Sequence, residues 1–250
     1  MDDTLEMMKS FVDAEYDDKV VAFIDIMGVK AQIMKSEKPS DFLMYTTIMK
    51  MIKSQSFAAD KLQFFAFSDC MYIIANKEDF NKVLLALSWL AFCMLFDNST
   101  KVGDGTENGY EDILIENCFK VRGGITYDKV FVVPQNNMVF GTAPINAYVL
   151  EEKTAIYPRI LMDDLIMKQL PPNDLDSFSA VKDEDGHYYF DFLSYVKNHV
   201  PSAATDLAHI DKIIEYVEKE IIAAGDNDHL TAQLCWYKKY LENHRTEQKE

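Results

Sequence analysis

An α+β fold is what this sequence predicts, with an antiparallel sheet backed by helices on one face and a helical extension after it. Two observations predict it. Apolar runs rich in β-branched residues alternate with stretches of helical periodicity over the first two-thirds of the chain, in the order β-α-β-β-α-β-β-α-β. The last third instead carries two amphipathic helical patterns behind one short apolar segment.

The first half of the predicted fold consists of a strand, a helical stretch and a hairpin. Residues 19–29 form an apolar run that stops at Gly28, which is typical of a buried strand. Helices are expected over residues 31–35 and 41–55. Two further strand-like runs are separated by only two residues, which predicts a tight hairpin with strands at residues 61–67 and 70–75.

The second half opens with a strongly apolar helix over residues 78–96 and a polar stretch over 97–111 that indicates an exposed loop. A second strand pair is expected over 119–127 and 130–133, resuming near Met138 after a turn. A helix at residues 143–153 and a strand at residues 158–162 complete the set. This order, βαββαβ with an extra hairpin, is that of a ferredoxin-like palm.

The run Pro171-Pro172-Asn173-Asp174 predicts a boundary in the chain. We expect one catalytic domain over residues 1–170 and a mostly helical extension over 171–250, with helices at residues 205–224 and 228–244. A chain of 250 residues is long enough for one substantial core with such an appendage.

Composition excludes several classes of function. The net charge of −16, without a stripe of Lys and Arg, argues against nucleic acid as a partner but allows a small anion in a local cationic or metal-bearing pocket. Four cysteines lie far apart without a CxxC pair, so neither a zinc site nor a disulfide framework is indicated. No leader-like start and no apolar stretch of membrane-spanning length is present, which predicts a cytoplasmic protein without a membrane-spanning segment.

Asp25 and Asp69 are the residues most suggestive of chemistry. Asp25 interrupts an apolar strand, where an unpaired carboxylate costs on the order of several kcal/mol, and Asp69 lies at the tip of the predicted hairpin. In a βαββ unit these strands are neighbours, so the two carboxylates can converge. They would repel unless they share a proton or a cation, and Mg²⁺ or Mn²⁺ suits such ligands. A buried hydrogen bond or salt bridge at Asp25 is the alternative.

Gly28 lies at the junction between the first strand and the next helix. There the amides of Met27, Gly28 and Val29 can approach phosphate oxygens, and the helix N-terminus favours negative charge. Lys30 can add a cation, although an exposed lysine is the commoner explanation. A pair of metal-binding carboxylates beside a phosphate-binding turn indicates phosphoryl transfer on a nucleoside triphosphate.

Four segments together resemble the catalytic domain of class III nucleotide cyclases, and most closely the pyrimidine cyclases of bacterial Pycsar anti-phage systems. The likeness covers residues 20–164, and the segments are FIDIMGVK (23–30), FAFSDC (65–70), VRGGITYDKV (121–130) and FGTAPINAYVLEEKTAIYPRI (140–160). The resemblance implies the class III cyclase palm fold and a site built at the interface of a homodimer.

The resemblance also implies roles for individual residues. Asp25 and Asp69 match the metal-binding aspartates, with the Ile26 carbonyl as a further ligand. Asn146 matches the asparagine that orients the ribose, and Arg159 can supply a catalytic cation, with a surface salt bridge as the competing account. The nucleotide-binding positions are Phe23, Met27, Gly28, Val29, Phe65 and Arg122. For Arg122, a salt bridge at the end of its strand is the equal alternative.

Two departures from the purine cyclases bear on the substrate. Phe65 stands where they have a lysine, and Leu150 stands where they have an arginine. Phe65 can stack on a base or fill the core. The resemblance therefore implies cyclisation of UTP, or of CTP, to the 3′,5′-cyclic monophosphate (cUMP or cCMP), which a downstream cyclic-nucleotide-sensing effector would detect during phage infection.

Two alternatives keep the palm but change its use. The first is a nucleotidyltransferase that makes cyclic di- or oligonucleotides. The second is a degenerate palm that binds nucleotide without catalysis, which the replaced lysine and arginine positions would explain.

Overall fold

A computed structural model of the protein describes residues 14–30, 61–96, 119–133, 137–200 and 210–245, with the single residues 12, 34, 37, 48, 50, 52, 54 and 207. The strands are β1 (Asp17–Met27), β2 (Leu62–Phe67), β3 (Cys70–Ala75), β4 (Lys120–Val133), β5 (Met138–Phe140), β6 (Ile160–Met162), β7 (Ala180–Lys182) and β8 (Tyr188–Phe190). The α-helices are α1 (Phe80–Phe96), α2 (Thr142–Lys153), α3 (Asp164–Met167), α4 (Phe192–His199), α5 (Ile210–Ala224) and α6 (Asp228–Glu242).

The strands form one sheet around β1, in the order β2-β3-β1-β4-β6-β8-β7, with β5 paired to β4. β1 is antiparallel to both β3 and β4. This arrangement confirms the predicted α+β palm. The sheet is not wholly antiparallel, however, because β4 and β6 are parallel. The hairpin of β5 and the helix α2 return the chain to the start of β4, and such a crossover produces a parallel pair.

The sheet carries helices on both faces, so the prediction of helices on one face was wrong. Alternate residues of a strand point to opposite faces. Val20, Ala22 and Ile24 of β1 belong to the main core with α1. Val21 and Phe23 belong to a smaller second cluster with α2. Asp25 is two residues beyond Phe23 on β1, so its side chain points to the same face as Phe23, which is the face that α2 covers.

A glycine of β4 lets α2 approach the second face closely. A Cβ added at Gly124 would lie 2.6 Å from the carbonyl oxygen of Ala147, which is backbone and cannot move aside. Ala143 and Ala147 are wholly buried at this contact. Small residues on both elements therefore set the height of α2 above the sheet.

Several predicted elements differ in extent. β4 is one strand of 14 residues, not two, because β1 pairs with it along its whole length. The helix expected over residues 31–35 and the loop over 97–111 lie almost wholly outside the described residues. Of the helix expected over 41–55, the described residues Ile48, Lys50, Ile52 and Ser54 are helical, and both isoleucines are buried in the main core.

Residues 171–250 add strands as well as helices. β8 pairs with β6, and β7 extends the edge of the same sheet. Buried side chains of α4, α5 and α6 belong to the main core that also contains β1 and β4. The domain division at residue 170 stays a prediction. Within the described parts of the chain, no helix has both the length and the apolar composition needed to cross a membrane.

Candidate active site

Asp25 and Asp69 lie at the same end of β1. Asp25 is opposite Cys70 of β3 and opposite Arg122 of β4. Asp69 precedes Cys70 in the tight turn between β2 and β3, where Ser68 adopts a left-handed φ of 54°. The amide of Ile26 donates to the carbonyl oxygen of Asp69 at 3.1 Å. The structure thus brings the two predicted metal aspartates close together, because this backbone hydrogen bond joins Asp69 to the residue that follows Asp25.

The electrostatics of Asp25 reflect this closeness. Burial raises the pKa of the Asp25 carboxyl, the positive charge of Arg122 opposes that rise, and the negative charge of Asp69 adds to it. Desolvation and a neighbouring anion both disfavour the charged carboxylate. A cation placed between Asp25 and Asp69 would remove the second of these penalties.

Arg122 is shared between two acids. Its Nη2 lies 3.5 Å from Oδ2 of Asp25, and its Nε forms an ion pair with Oε1 of Glu151 on α2. Glu151 is only 3% exposed. Burial raises the pKa of the Glu151 carboxyl, Arg122 lowers it, and Asp25 raises it further. Arg122 therefore neutralises Asp25 only in part, because Glu151 holds the closer contact.

Sequence reasoning missed Glu151, although a signal for it exists. Ala143, Ala147 and Glu151 are spaced four residues apart, so they lie on one face of α2. The two alanines are buried against the sheet, and the third position on that face must be buried too. A carboxylate there requires a cationic partner, and Arg122 on the adjacent β4 is the cation within reach.

The predicted phosphate-binding turn directly follows β1. Gly28 has a φ of +91°, and a Cβ added there would meet nothing within 4 Å, so the backbone borders open space. Val29 is 2% exposed and anchors the turn in the main core, while Lys30 is exposed. Met27 is half-buried, Val29 is buried and Gly28 has no side chain. The turn therefore offers a phosphate its backbone groups.

Aromatic side chains form a cluster on the second face of the sheet. The ring of Phe23 is 5% exposed and lies 4.9 Å from the ring of Tyr72 and 5.4 Å from that of Tyr148. Phe65 is opposite Tyr72 across β2 and β3 and packs on the same cluster. Phe23, predicted to bind nucleotide, is thus covered by two tyrosines, and Phe65 is the more open of the two phenylalanines.

Asn146 and Arg159 do not join the two aspartates in this chain. The amide of Asn146 donates to Asp128 of β4 at 3.2 Å, six residues beyond Arg122. The side chain of Arg159 is 1% exposed and forms ion pairs with Asp183 and Asp185. Its guanidinium also lies over the rings of Tyr157 and Trp236. These contacts favour the competing account of Arg159, a salt bridge, over the predicted catalytic role. The positive charge of Arg159 is already paired with the carboxylates of Asp183 and Asp185.

The residues present fit a divalent metal. Among the described residues, no three His, Cys, Asp or Glu side chains form a metal-ligand group. Mg²⁺ needs fewer, since it commonly takes one or two carboxylates and completes its shell with water and phosphate oxygens. Asp25 and Asp69 carry hard oxygen atoms of the kind that Mg²⁺ prefers, and burial and then the charge of Asp69 raise the pKa of Asp25 against the opposing charge of Arg122. Ile26, whose carbonyl is the predicted further ligand, directly follows Asp25.

Comparisons with known proteins gave matches only among solved structures. No family profile and no curated protein matches the sequence. The chain is similar to the monomeric guanylyl cyclase domain of the RhoGC fusion protein from the aquatic fungus Blastocladiella emersonii, with 13% identity, a TM-score of 0.49, and coverage of 71% of this chain and 96% of that one. It is also similar to the adenylyl cyclase CyaB from P. aeruginosa, with 15% identity, a TM-score of 0.44, and coverage of 70% and 94%.

A third similar structure is the guanylate cyclase domain of RhGC from Catenaria anguillulae, which was solved in complex with GTP. Here the identity is 11%, the TM-score is 0.46, and the coverage is 70% of this chain and 96% of that one.

Proposed function

We propose that this protein is a metal-dependent pyrimidine nucleotide cyclase, which converts UTP or CTP into the 3′,5′-cyclic monophosphate and pyrophosphate. One observation carries the proposal: Asp25 of β1 and Asp69 of the β2–β3 turn lie close enough for the charge of Asp69 to act on Asp25, next to the open backbone turn at Gly28. A carboxylate pair next to a phosphate-binding turn is what phosphoryl transfer requires.

The residues divide the work in a simple way. Asp25, Asp69 and the Ile26 carbonyl would hold Mg²⁺ or Mn²⁺. When bound, the ion would supply charge stabilisation for the triphosphate and lower the pKa of the ribose 3′-hydroxyl. The hydroxyl proton passes to water as the 3′-oxygen forms a bond to the α-phosphorus, the bond from that phosphorus to the bridging oxygen breaks, and pyrophosphate leaves. The turn at Gly28 binds phosphate oxygens through its amides, and Arg122 adds positive charge on the same face.

Two side chains support a pyrimidine over a purine substrate. Phe65 offers a partly exposed ring and no hydrogen-bond donor. Leu150 is half-buried, with side-chain atoms 2.9 and 3.1 Å from a Cβ built on Gly124. A lysine or arginine at either place would be the polar group that reads a purine edge. Without such groups, shape and stacking select the base.

A second copy of the chain would complete the site. Four apolar side chains are 37–61% exposed around α2, and they are Phe140, Ile145, Tyr148 and Val149. Exposed apolar side chains grouped on one helix and on the strand before it are typical of an interaction surface. Asn146 lies on the same helix, and in the proposed dimer it would contact the nucleotide of the partner subunit. We therefore propose a homodimer.

The biological role proposed here is a cytoplasmic second messenger in bacterial anti-phage defence, read by a cyclic-nucleotide-sensing effector. The segments that resemble those of the pyrimidine cyclases of Pycsar systems, above all residues 121–130 and 140–160, support it.

Incubation of the purified protein with each of the four NTPs and Mn²⁺ tests the activity. We expect cUMP or cCMP, and we expect its loss in Asp25→Asn and Asp69→Asn but not in the exposed control Asp226→Asn. Product masses of a cyclic dinucleotide or an oligonucleotide would favour a nucleotidyltransferase. Nucleotide affinity that is undiminished in an Asp25→Ala/Asp69→Ala double variant, without any product, would favour a degenerate binding module.

A further inference from the structure

A cavity of about 150 Å³ adjoins the turn at Gly28. It lies at the end of β1 and the start of β4, between the turn and the C-terminal helices α5 and α6. Polar groups that line it come from both sides, namely Lys120 of β4, Glu220 of α5 and Gln233 of α6, together with the backbone at Gly28. The cavity is thus the place where the C-terminal helices reach the proposed nucleotide site.

Lys120 is a buried cation inside this cavity. Its side chain is 7% exposed and forms an ion pair with Glu220, and its Nζ lies 5.9 Å from the centre of the Tyr216 ring. Lys120 is opposite Met27 and two residues before Arg122, which is opposite Asp25. Residues two apart on a strand share a face and are separated by about 7 Å. Lys120 therefore lies one strand repeat away from Arg122, on the face of the sheet that carries Asp25.

The partner of Lys120 is easier to displace than the nearest partner of Arg122. Arg122 holds Glu151, whose side chain is 4% exposed and lies beneath α2. Glu220 is 30% exposed, on a helix with a solvent face, so its carboxylate can turn to water. A buried lysine keeps its charge at low cost only while an anion is beside it. Another anion that enters the cavity can take the place of Glu220.

We propose that this cavity is a subsite for the terminal phosphates of the nucleotide, with Lys120 as a phosphate-binding residue and Glu220 as the anion that occupies the subsite when no nucleotide is bound. The inference rests on the proposed function, since it assigns a residue to the triphosphate of that reaction. On binding, a phosphate oxygen accepts the Lys120 ammonium hydrogen bonds and the Glu220 carboxylate moves into solvent.

Binding of UTP, CTP and inorganic tripolyphosphate to the full chain with Mn²⁺, measured by calorimetry, tests the inference. Glu220→Gln removes the competing charge, and we expect about 3- to 10-fold tighter binding of tripolyphosphate and of the triphosphates. Lys120→Met removes a charge-assisted contact, and we expect about 10- to 100-fold weaker binding. Affinity for the unphosphorylated nucleoside should not change in either variant.

Glu218→Gln is the matched control, because Glu218 lies on the same helix and forms its ion pair with Lys238 instead. Thermal unfolding shows whether Lys120→Met is folded, and the double variant Lys120→Met/Glu220→Gln covers the case in which it is not. In the double variant the gain from Glu220→Gln should be lost.

Equal affinities in wild type, Glu220→Gln and the double variant would overturn the subsite while leaving the cyclase proposal intact if wild type still makes cyclic product. If wild type binds neither nucleotide nor tripolyphosphate, both proposals fall together.

Discussion

Replacement of Glu151 by glutamine tests how the site controls the charge of Asp25. Glu151→Gln keeps the shape of the side chain but removes the negative charge that holds the Nε of Arg122. Arg122 then has Asp25 as its remaining carboxylate partner, now 3.5 Å away. We expect Arg122 to close on Asp25, so that the variant binds Mn²⁺ and nucleotide less tightly although neither ligand touches residue 151.

Two effects oppose each other in the stability of this variant. Loss of one partner from a wholly buried ion pair costs about 3–5 kcal/mol, but Arg122 is 24% exposed and retains Asp25. Glu151→Gln also removes a charged carboxylate from a buried position, and that burial raises the pKa of Glu151 in spite of Arg122. We therefore expect the unfolding free energy at neutral pH to change by no more than about 1 kcal/mol, which corresponds to a shift in Tm of about 4 °C or less.

Two assays measure these effects separately. Denaturant unfolding gives the stability change, and a Mn²⁺ titration of nucleotide binding gives the metal concentration at half-saturation. Glu152→Gln is the control, because Glu152 is exposed and contacts Tyr148 rather than Arg122. A Glu151→Gln variant with wild-type Mn²⁺ dependence would refute the idea that Arg122 is shared between the two acids.

Four further predictions follow from the described contacts. Asp25→Asn should raise the unfolding free energy at neutral pH, because a carboxyl whose folded pKa is raised destabilises the fold when charged; the gain should vanish in unfolding measurements below the ordinary Asp range, about pH 3.8. By the same sign, Mn²⁺ affinity of wild type should begin to fall at a higher pH than for an unperturbed aspartate, as a calorimetric pH series would show. Arg159→Met should lower the unfolding free energy by about 3–5 kcal/mol in denaturant unfolding, because Asp183 and Asp185 lose the cation with which they pair. The activity per folded molecule should persist. Gly124→Ala should cost about 1–3 kcal/mol by pushing α2 off the sheet, which circular dichroism and unfolding can follow.

Local patterns predicted the centre of the fold well. The apolar run of β1, the two-residue gap between β2 and β3, and the long apolar helix α1 each depend on neighbours in sequence. The closeness of Asp25 and Asp69 could be predicted from the sequence, because a tight hairpin that pairs with a central strand places the tip of the hairpin at one end of that strand.

What failed depends on partners distant in sequence. The polar residues Asp128 and Lys129 were expected to separate two strands, but they continue β4 because Lys19 and Asp18 of β1 pair with them. β7 and β8 have three residues each, too few to show a period. The pairing of Arg159 with Asp183 spans 24 positions, and nothing local in the sequence announces it.

The central claim is that Asp25 and Asp69 hold one divalent cation against a nucleoside triphosphate. Crystals of the protein grown with Mn²⁺ and a non-hydrolysable UTP analogue test it most directly, through the anomalous scattering of manganese. We expect an anomalous peak between the two carboxylates, with phosphate oxygens completing the coordination. A bound analogue with no manganese at this position, or manganese bound elsewhere while Asp25 stays paired with Arg122, would contradict the account.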